Sequence, residues 1–84
     1  MIDPELWDAD EIVIFESYRY RCIRCQRPAV TLHELVPKSN NPKGWKKKGN
    51  RVPICNGCHT WAHDIGTKVS APILIQCQED YARW

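Results

Sequence analysis

The 84-residue chain lacks any apolar run of the roughly 18–20 residues that a membrane-spanning helix requires. Its first residues, Met1-Ile2-Asp3-Pro4-Glu5, also lack the basic stretch with which a secretory signal peptide begins. We therefore expect a protein with no membrane partner that works in the reducing cytoplasm.

Lysine and arginine are absent from residues 1–18, which carry six acidic side chains. Residues 19–51 carry ten basic side chains against one acid, Glu34, and so form a block of net charge +9. Such a block suits a phosphate backbone, although a charge run is often only a solvated surface. Its position between two cysteine pairs favours DNA as the partner.

A chain of this length is expected to form one domain and buries only about 60% of its unfolded surface. Hydrophobic residues make up 43% of the sequence, enough for a compact core, and a bound metal is a common further stabiliser. We expect a single domain over residues 1–84, with a core motif at 22–63, an acidic extension at 1–18 and a C-terminal helix at about 70–84.

Four of the five cysteines form two pairs, Cys22-x2-Cys25 and Cys55-x2-Cys58, whose spacing is typical of a tetrahedral zinc site. The 29 residues between the pairs exceed the roughly 15–20 of a usual zinc ribbon, and a β-hairpin would fill them. Disulfides are the alternative, but the odd count leaves one thiol unpaired and the compartment would have to be oxidising. We assign no role to Cys77.

Residues 4–20 are predicted to contain a helix, since acids crowd its start and Asp8 or Asp10 could cap it. Residues 12–15 are apolar and β-branched enough to form a short strand instead.

The rest of the chain is predicted from turn residues and β-branched runs. In order we expect a strand at 29–33, a loop at 38–50, an extended segment at 51–54, a helix at 56–64 stopped by Gly66, and a final helix starting at 70–72.

His59 and His63 lie one helical turn apart and share a face if this segment is helical. His33 is the third histidine of a chain that contains three. All three can be placed around one ion. The alternatives are that His59 or His63 replaces a cysteine on the zinc, and that His33 is an ordinary core residue.

The order of these residues resembles the zinc-knuckle branch of the HNH endonucleases. The resemblance covers about half of the chain, residues 22–63, and includes Cys22-x2-Cys25, LHELVP at 32–37, NRVPICNGCH at 50–59, and His63. It implies an α+β protein with a small ββα-metal fold, a structural four-cysteine zinc and flanking helices. In that family a hairpin and a helix hold one divalent cation against the scissile phosphate.

The resemblance also implies site residues. His33, His59 and His63 match the ligands of the catalytic cation, which would be Mn²⁺, Ni²⁺, Mg²⁺ or Zn²⁺. Asn50 matches the asparagine that braces the hairpin and orients the base. The structural Zn²⁺ would be held by Cys22, Cys25, Cys55 and Cys58.

Glu34 departs from the family pattern, which often has a second histidine at this position. A glutamate is ionised at neutral pH and can accept a proton, but it is a weaker base than imidazole. Three interpretations stay open. Glu34 is the general base, or His33 is the base while Glu34 contacts the metal, or the site is catalytically impaired. Strand alternation alone would send residues 33 and 34 to opposite faces.

The resemblance implies a metal-dependent DNA endonuclease or nickase of a phage or mobile element, which would act as a monomer or homodimer, in the host cytoplasm if it is phage-encoded. The alternatives are a catalytically impaired, zinc-stabilised DNA-binding module and a protein-interaction module. Trp45, inside the lysine run, could stack on a base or anchor the loop to the core. The residues expected along the DNA path are Lys38, Lys43, Trp45, Lys46, Lys47, Lys48 and Arg51.

Overall fold

Three helices and a two-stranded sheet make up the part of the chain that the computed structural model describes, residues 5–37, 43–44 and 49–83. The elements are α1 (Ala9–Ser17), β1 (Thr31–Glu34), β2 (Arg51–Ile54), α2 (Asn56–Ile65) and α3 (Thr67–Ala82). The protein is therefore a small α+β structure, as the sequence predicts. None of its described helices is both long and apolar enough to cross a membrane.

Helix α1 begins with a capping box formed by Asp8 and Glu11. The Asp8 carboxylate accepts a hydrogen bond from the Glu11 amide at 2.8 Å, and the Asp8 amide donates to the Glu11 carboxylate at 3.0 Å. These bonds satisfy two amides that a helix start leaves unpaired. The predicted Asp8 cap is confirmed, and the alternative of a strand at residues 12–15 is wrong.

Strands β1 and β2 form an antiparallel hairpin in which His33 lies opposite Val52 and Glu34 opposite Arg51. The hairpin bridges the gap between the cysteine pairs, as predicted. The strand expected at residues 29–33 instead runs from Thr31 to Glu34. Its start is displaced because the Ala29 amide donates to the Tyr20 carbonyl at 2.9 Å rather than to β2.

Helices α2 and α3 meet at Gly66, which has φ +82° and both ends α2 and starts α3. The predicted stop at Gly66 is confirmed. The predicted start of the last helix at residues 70–72 is wrong, because the Gly66 carbonyl already accepts the amides of Val69 and Ser70. Ser70 is fully buried, so it cannot act as a surface cap.

The core joins the cysteine pairs to the hairpin and to α3. The thiols of Cys22 and Cys58 belong to the same buried cluster as Val52 and Leu74, so the candidate zinc site lies at the core rather than on a separate arm. The members of the cluster are Cys22, Ile23, Leu35, Val52, Ile54, Cys58 and Leu74.

Arg51 corrects one sequence expectation. Its side chain was assigned to the DNA path because it ends the basic block, yet the residue is only 6% exposed. The guanidinium donates to the Glu11 carboxylate at 3.2 Å, so it links β2 to α1. Arg51 faces this helix, which packs against β2, and not an open surface.

The core predicts opposite outcomes for two neighbouring truncations on α3. Replacing the buried Leu74 by alanine should lower the free energy of unfolding by about 2–5 kcal/mol, because it leaves a cavity. Ser70→Ala should be close to neutral or stabilising, because no residue that the structure describes forms a hydrogen bond with the buried Ser70 hydroxyl. Urea unfolding at fixed zinc concentration measures both, and a Ser70→Ala cost as large as that of Leu74→Ala would contradict this packing.

Candidate metal centres

The first cysteine pair sits in a tight backbone knuckle. The Cys22 amide donates to the Arg27 carbonyl at 2.7 Å, and the Gln26 amide donates to the Cys22 carbonyl at 3.0 Å. Gln26 adopts φ +68°, a left-handed conformation that closes the turn directly after Cys25. The knuckle therefore presents the thiols of Cys22 and Cys25 on the same side.

The second pair is built into the start of α2. Cys55 is the N-cap residue, and its sulfur accepts the Cys58 amide at 3.4 Å. Its carbonyl accepts the His59 amide at 2.9 Å, which starts the first helical turn. The residue that presents one thiol thus also fixes where the helix carrying two histidines begins.

The four cysteines of the two pairs have ligand atoms within 4.8 Å of one another and could hold one metal ion. A tetrahedral zinc with Zn–S bonds of about 2.3 Å needs sulfurs about 3.8 Å apart, so the cluster has a suitable size. The Cys25 and Cys55 sulfurs are 3.5 Å apart. All five cysteines of the chain are free, so the disulfide alternative is not what the structure adopts.

The surroundings of these thiols shift the pKa values of Cys55 and Cys58 in opposite directions. Burial raises the pKa of Cys58 to about 12, and the Arg24 guanidinium opposes that shift. Burial also acts to raise the pKa of Cys55, but hydrogen bonds from the Cys58 amide and the neighbouring thiols lower it to about 7. Binding zinc here therefore has to displace protons, most costly at Cys58, and the affinity should rise with pH.

Arg24 is a contributor that sequence reasoning missed, since it reads only as one more charge of the basic block. Its Nη1 donates to the Cys58 sulfur at 3.6 Å. Its guanidinium also lies 3.9 Å from the centre of the Trp61 ring, a cation–π contact. Four thiolates around Zn²⁺ carry excess negative charge, and Arg24 is placed to offset it while tying the first knuckle to α2.

The three histidines converge in a second group whose ligand atoms also lie within 4.8 Å of one another. The Nε2 atoms of His59 and His63 are 3.0 Å apart. The His33 ring centroid lies 5.4 Å from that of His59 and 6.0 Å from that of His63. This group shares no residue with the cysteine group, so no histidine is needed to complete the four-sulfur cluster.

The chemistry of this histidine group fits a metal ion. His33 is 8% exposed, and its buried Nε2 has no hydrogen-bond partner within the described part of the chain, an arrangement that an ion would satisfy. Burial, together with His59 and His63, lowers the pKa of His33 despite the nearby Glu34. Burial and His63 lower the pKa of His59. Both imidazoles therefore favour the neutral form that binds metals.

Beside the histidines lies an open cleft of about 290 Å³. Glu34 lines this cleft together with His33, although alternation along a strand would separate them. Both reach it because β1 ends at Glu34, where regular alternation stops. The cleft is lined by Leu32, His33, Glu34, Pro37, His59, Ala62, His63, Gly66 and Thr67.

Asn50 braces the open end of the hairpin. Its side-chain oxygen accepts the Val36 amide at 2.9 Å, and its side-chain nitrogen donates to the Val36 carbonyl at 3.1 Å. Its own carbonyl accepts the Leu35 amide at 2.7 Å. These three bonds hold the segment directly after Glu34, so Asn50 acts on the cleft by positioning its wall.

Two of the residues expected along the DNA path lie in the described part of the chain. Lys43 is exposed, and Arg51 is buried against α1 as described above. Lys38, Trp45, Lys46, Lys47 and Lys48 lie outside the described residues.

Comparison with known proteins finds a relative named for DNA repair. A mitochondrial DNA mismatch repair protein, a mutS homolog of Sarcophyton glaucum, is 33% identical over an alignment 64 residues long that covers 63% of this chain. The chain spans only 6% of that relative's length. No family model and no solved structure matches the chain. The match thus links the chain to a short segment of a protein named for DNA repair.

The cysteine cluster predicts a difference between two cysteine substitutions. Cys55→Ser should lose bound zinc and unfold at a lower temperature, because the residue serves both as ligand and as the N-cap of α2. Cys77→Ser is the matched control and should retain one zinc per chain, because Cys77 is not part of the four-sulfur group. Elemental analysis and thermal unfolding measure both. Equal zinc content in the two variants would refute this assignment.

The lowered pKa values of His33 and His59 predict the pH range over which the histidine group binds a metal ion. Protonated imidazole cannot bind an ion, so affinity should be flat above the ordinary histidine value of about 6.5. Below that value it should decline gradually, because the lowered pKa values of His33 and His59 keep these two imidazoles neutral further into the acidic range. Calorimetric titration of the zinc-loaded protein with Ni²⁺ at several pH values measures this. A loss of affinity that is already complete at pH 6.5 would contradict it.

Proposed function

We propose that this protein is a metal-dependent DNA endonuclease or nickase of the HNH type, with a structural zinc at the cysteines and a catalytic divalent cation at the histidines. The observation that carries the proposal is the convergence of His33, His59 and His63 beside Glu34 in one open cleft. His33 lies 26 residues before His59 in the sequence, and the hairpin and α2 bring it together with His59 and His63.

A divalent cation bound to the histidines would supply a positive charge for the phosphate and for the oxygen that leaves it. Three imidazoles suit Zn²⁺, Ni²⁺ or Co²⁺, whereas a further carboxylate favours Mn²⁺ and Mg²⁺. Glu34 lines the same cleft, so the site can offer either kind of ligand set.

Glu34 and His33 are the two candidates for the base that takes a proton from the attacking water. Glu34 is half-buried at the end of β1, and His33 is enclosed with its Nε2 facing no protein partner. The buried nitrogen is better placed to bind the ion, which leaves the carboxylate to accept the proton. Asn50 acts as a positioning residue, because it fixes the backbone directly after Glu34.

DNA is the proposed substrate on two grounds. Residues 19–51 carry a net charge of +9, and neutralising phosphates is the main source of affinity for DNA. The matched segment belongs to a protein named for DNA mismatch repair. A single catalytic ion acts on one strand, so a monomer would nick duplex DNA and a dimer could cut both strands.

A supercoiled plasmid tests the proposal directly. Incubation with Mn²⁺ or Ni²⁺ should convert it to the relaxed form, and His59→Ala should reduce the rate by at least about 100-fold, because it removes a ligand of the catalytic ion. Glu34→Gln should lose a comparable factor if the carboxylate is the base, consistent with the 10²–10⁴-fold typical of general bases. Glu79→Gln, an exposed position on α3, is the matched control and should leave the rate unchanged.

Two outcomes would contradict the proposal. One is a wild-type protein that relaxes no plasmid with any of Mn²⁺, Ni²⁺, Mg²⁺ or Zn²⁺. The other is equal activity in wild type and His59→Ala, which would trace the cleavage to a contaminant. DNA binding without cleavage, and without a second His59-dependent ion in calorimetry, would identify a zinc-stabilised DNA-binding module instead.

A further inference from the structure

We propose that the N-terminus of α3 binds a backbone phosphodiester of the nucleic acid next to the three histidines. This inference rests on the proposed function and adds to it a substrate-binding element of the same cleft. It concerns the backbone amides of Thr67 and Lys68, which no sequence motif singles out.

Helix α3 starts at the wall of the cleft. Gly66 and Thr67 line the same cavity as His33, His59 and His63. The helix runs for 16 residues, from Thr67 to Ala82, so its N-terminus carries the partial positive charge of a long helix. Backbone amides at such a terminus point outward and bind anions, phosphate groups in particular.

The first amides of α3 are free to donate. No side chain caps the helix. The Gly66 amide is used by the Ala62 carbonyl, and the amides of Val69 and Ser70 are used by the Gly66 carbonyl. Among the described residues, no acceptor bonds the amides of Thr67 and Lys68, which are the first two of the helix.

A second observation also points to a ligand in this cleft. His33 is more than nine-tenths buried and lines the cleft, and its Nε2 atom has no partner among the described residues. A nitrogen left in that state calls for a bound ion. A phosphate in this cleft would then have two positive partners. One is the ion on His33, His59 and His63, and the other is the pair of amides at the start of α3.

The charge and the open space around the start of α3 would allow a phosphate to approach its first amides. Lys68 is exposed at the second position of α3 and adds a positive charge. Glu34 also lines the cleft, and its negative charge would repel a phosphate. Phosphate binding at the start of α3 should therefore depend on the cation bound to the histidines. A Cβ atom at Gly66 would meet no described atom within 4 Å outside its own helix turn and chain neighbours, so there is open space beside the helix start.

Two substitutions at Thr67 separate the contribution of its backbone amide from that of its hydroxyl. Proline is well tolerated at the first position of a helix but has no N–H to donate. Gly66 has ψ 160°, which suits the residue before a proline. Thr67→Pro therefore removes the amide and the hydroxyl, whereas Thr67→Ala removes only the hydroxyl and is the matched control.

The experiment is an NMR titration of the zinc-loaded protein, with the histidine site also filled by Zn²⁺, using a dinucleoside monophosphate that carries a single phosphodiester. The Thr67 and Lys68 amide protons should shift downfield and saturate. Thr67→Pro should bind the dinucleotide about tenfold more weakly than Thr67→Ala, as expected for one hydrogen bond to a charged group. Circular dichroism and zinc content check that Thr67→Pro is folded. The amide shifts of the wild-type protein test the inference even if this variant does not fold.

Three results would overturn the inference. The first is a set of shifts confined to the histidines, which would mean that the ion alone holds the phosphate. The second is equal affinity in folded Thr67→Pro and Thr67→Ala. The third is a response to inorganic phosphate but none to the dinucleotide, which would exclude a backbone phosphodiester as the ligand.

The NMR titration tests the phosphate subsite separately from the proposed nuclease activity, because it measures binding and not cleavage. A protein that nicks plasmid while its Thr67 and Lys68 amides stay unshifted refutes the subsite alone. A protein that binds the dinucleotide at those amides but never nicks DNA keeps the subsite and refutes the nuclease.

Discussion

The structure depends on the four-sulfur cluster, because it fixes the start of α2. Cys55 supplies one of the four clustered thiols and, through the same sulfur, caps the helix by accepting the Cys58 amide. His59 follows Cys58 directly and His63 lies one turn further on. A metal at the cysteines would therefore set the position of both helix histidines, and loss of that metal should disorganise the second site as well.

The other wall of the cleft comes from the hairpin. His33 is carried by β1, whose partner β2 is buried along its whole length between α1 and the rest of the core. The Glu11–Arg51 ion pair joins α1 to this strand, and Asn50 holds the chain just beyond Glu34. The acidic N-terminal segment thus includes a structural support for the strand opposite His33, in addition to any role of its charge.

Part of this architecture follows from local sequence signals. The two Cys-x2-Cys spacings predict the sulfur cluster, the i, i+4 spacing of His59 and His63 predicts their shared helix face, and Asp8 predicts the cap of α1. Each is a short-range pattern whose geometry is set by the backbone of one element. The convergence of His33 with the other two is a long-range feature that no local spacing predicts. The residue types allow all three histidines to share one ion, and the family resemblance implies that they do.

The features that the sequence did not predict depend on tertiary packing. Arg51 belongs to a basic block by charge, but only the packing of α1 against β2 decides that its side chain is buried. Residues 70–72 have the composition of a helix start, yet Gly66 begins α3 earlier and leaves Ser70 inside the core. The contact of Arg24 with both Cys58 and Trp61 requires the first knuckle to lie against α2, which no local pattern encodes.

The most direct test of the account is anomalous diffraction from crystals grown with Zn²⁺ and soaked in Mn²⁺, recorded at the absorption edge of each metal. The account predicts zinc bonded to the sulfurs of Cys22, Cys25, Cys55 and Cys58, and a second, separate ion bonded to His33, His59 and His63. Sulfurs cross-linked in disulfides, or three imidazoles turned away from one another with no ion between them, would contradict it.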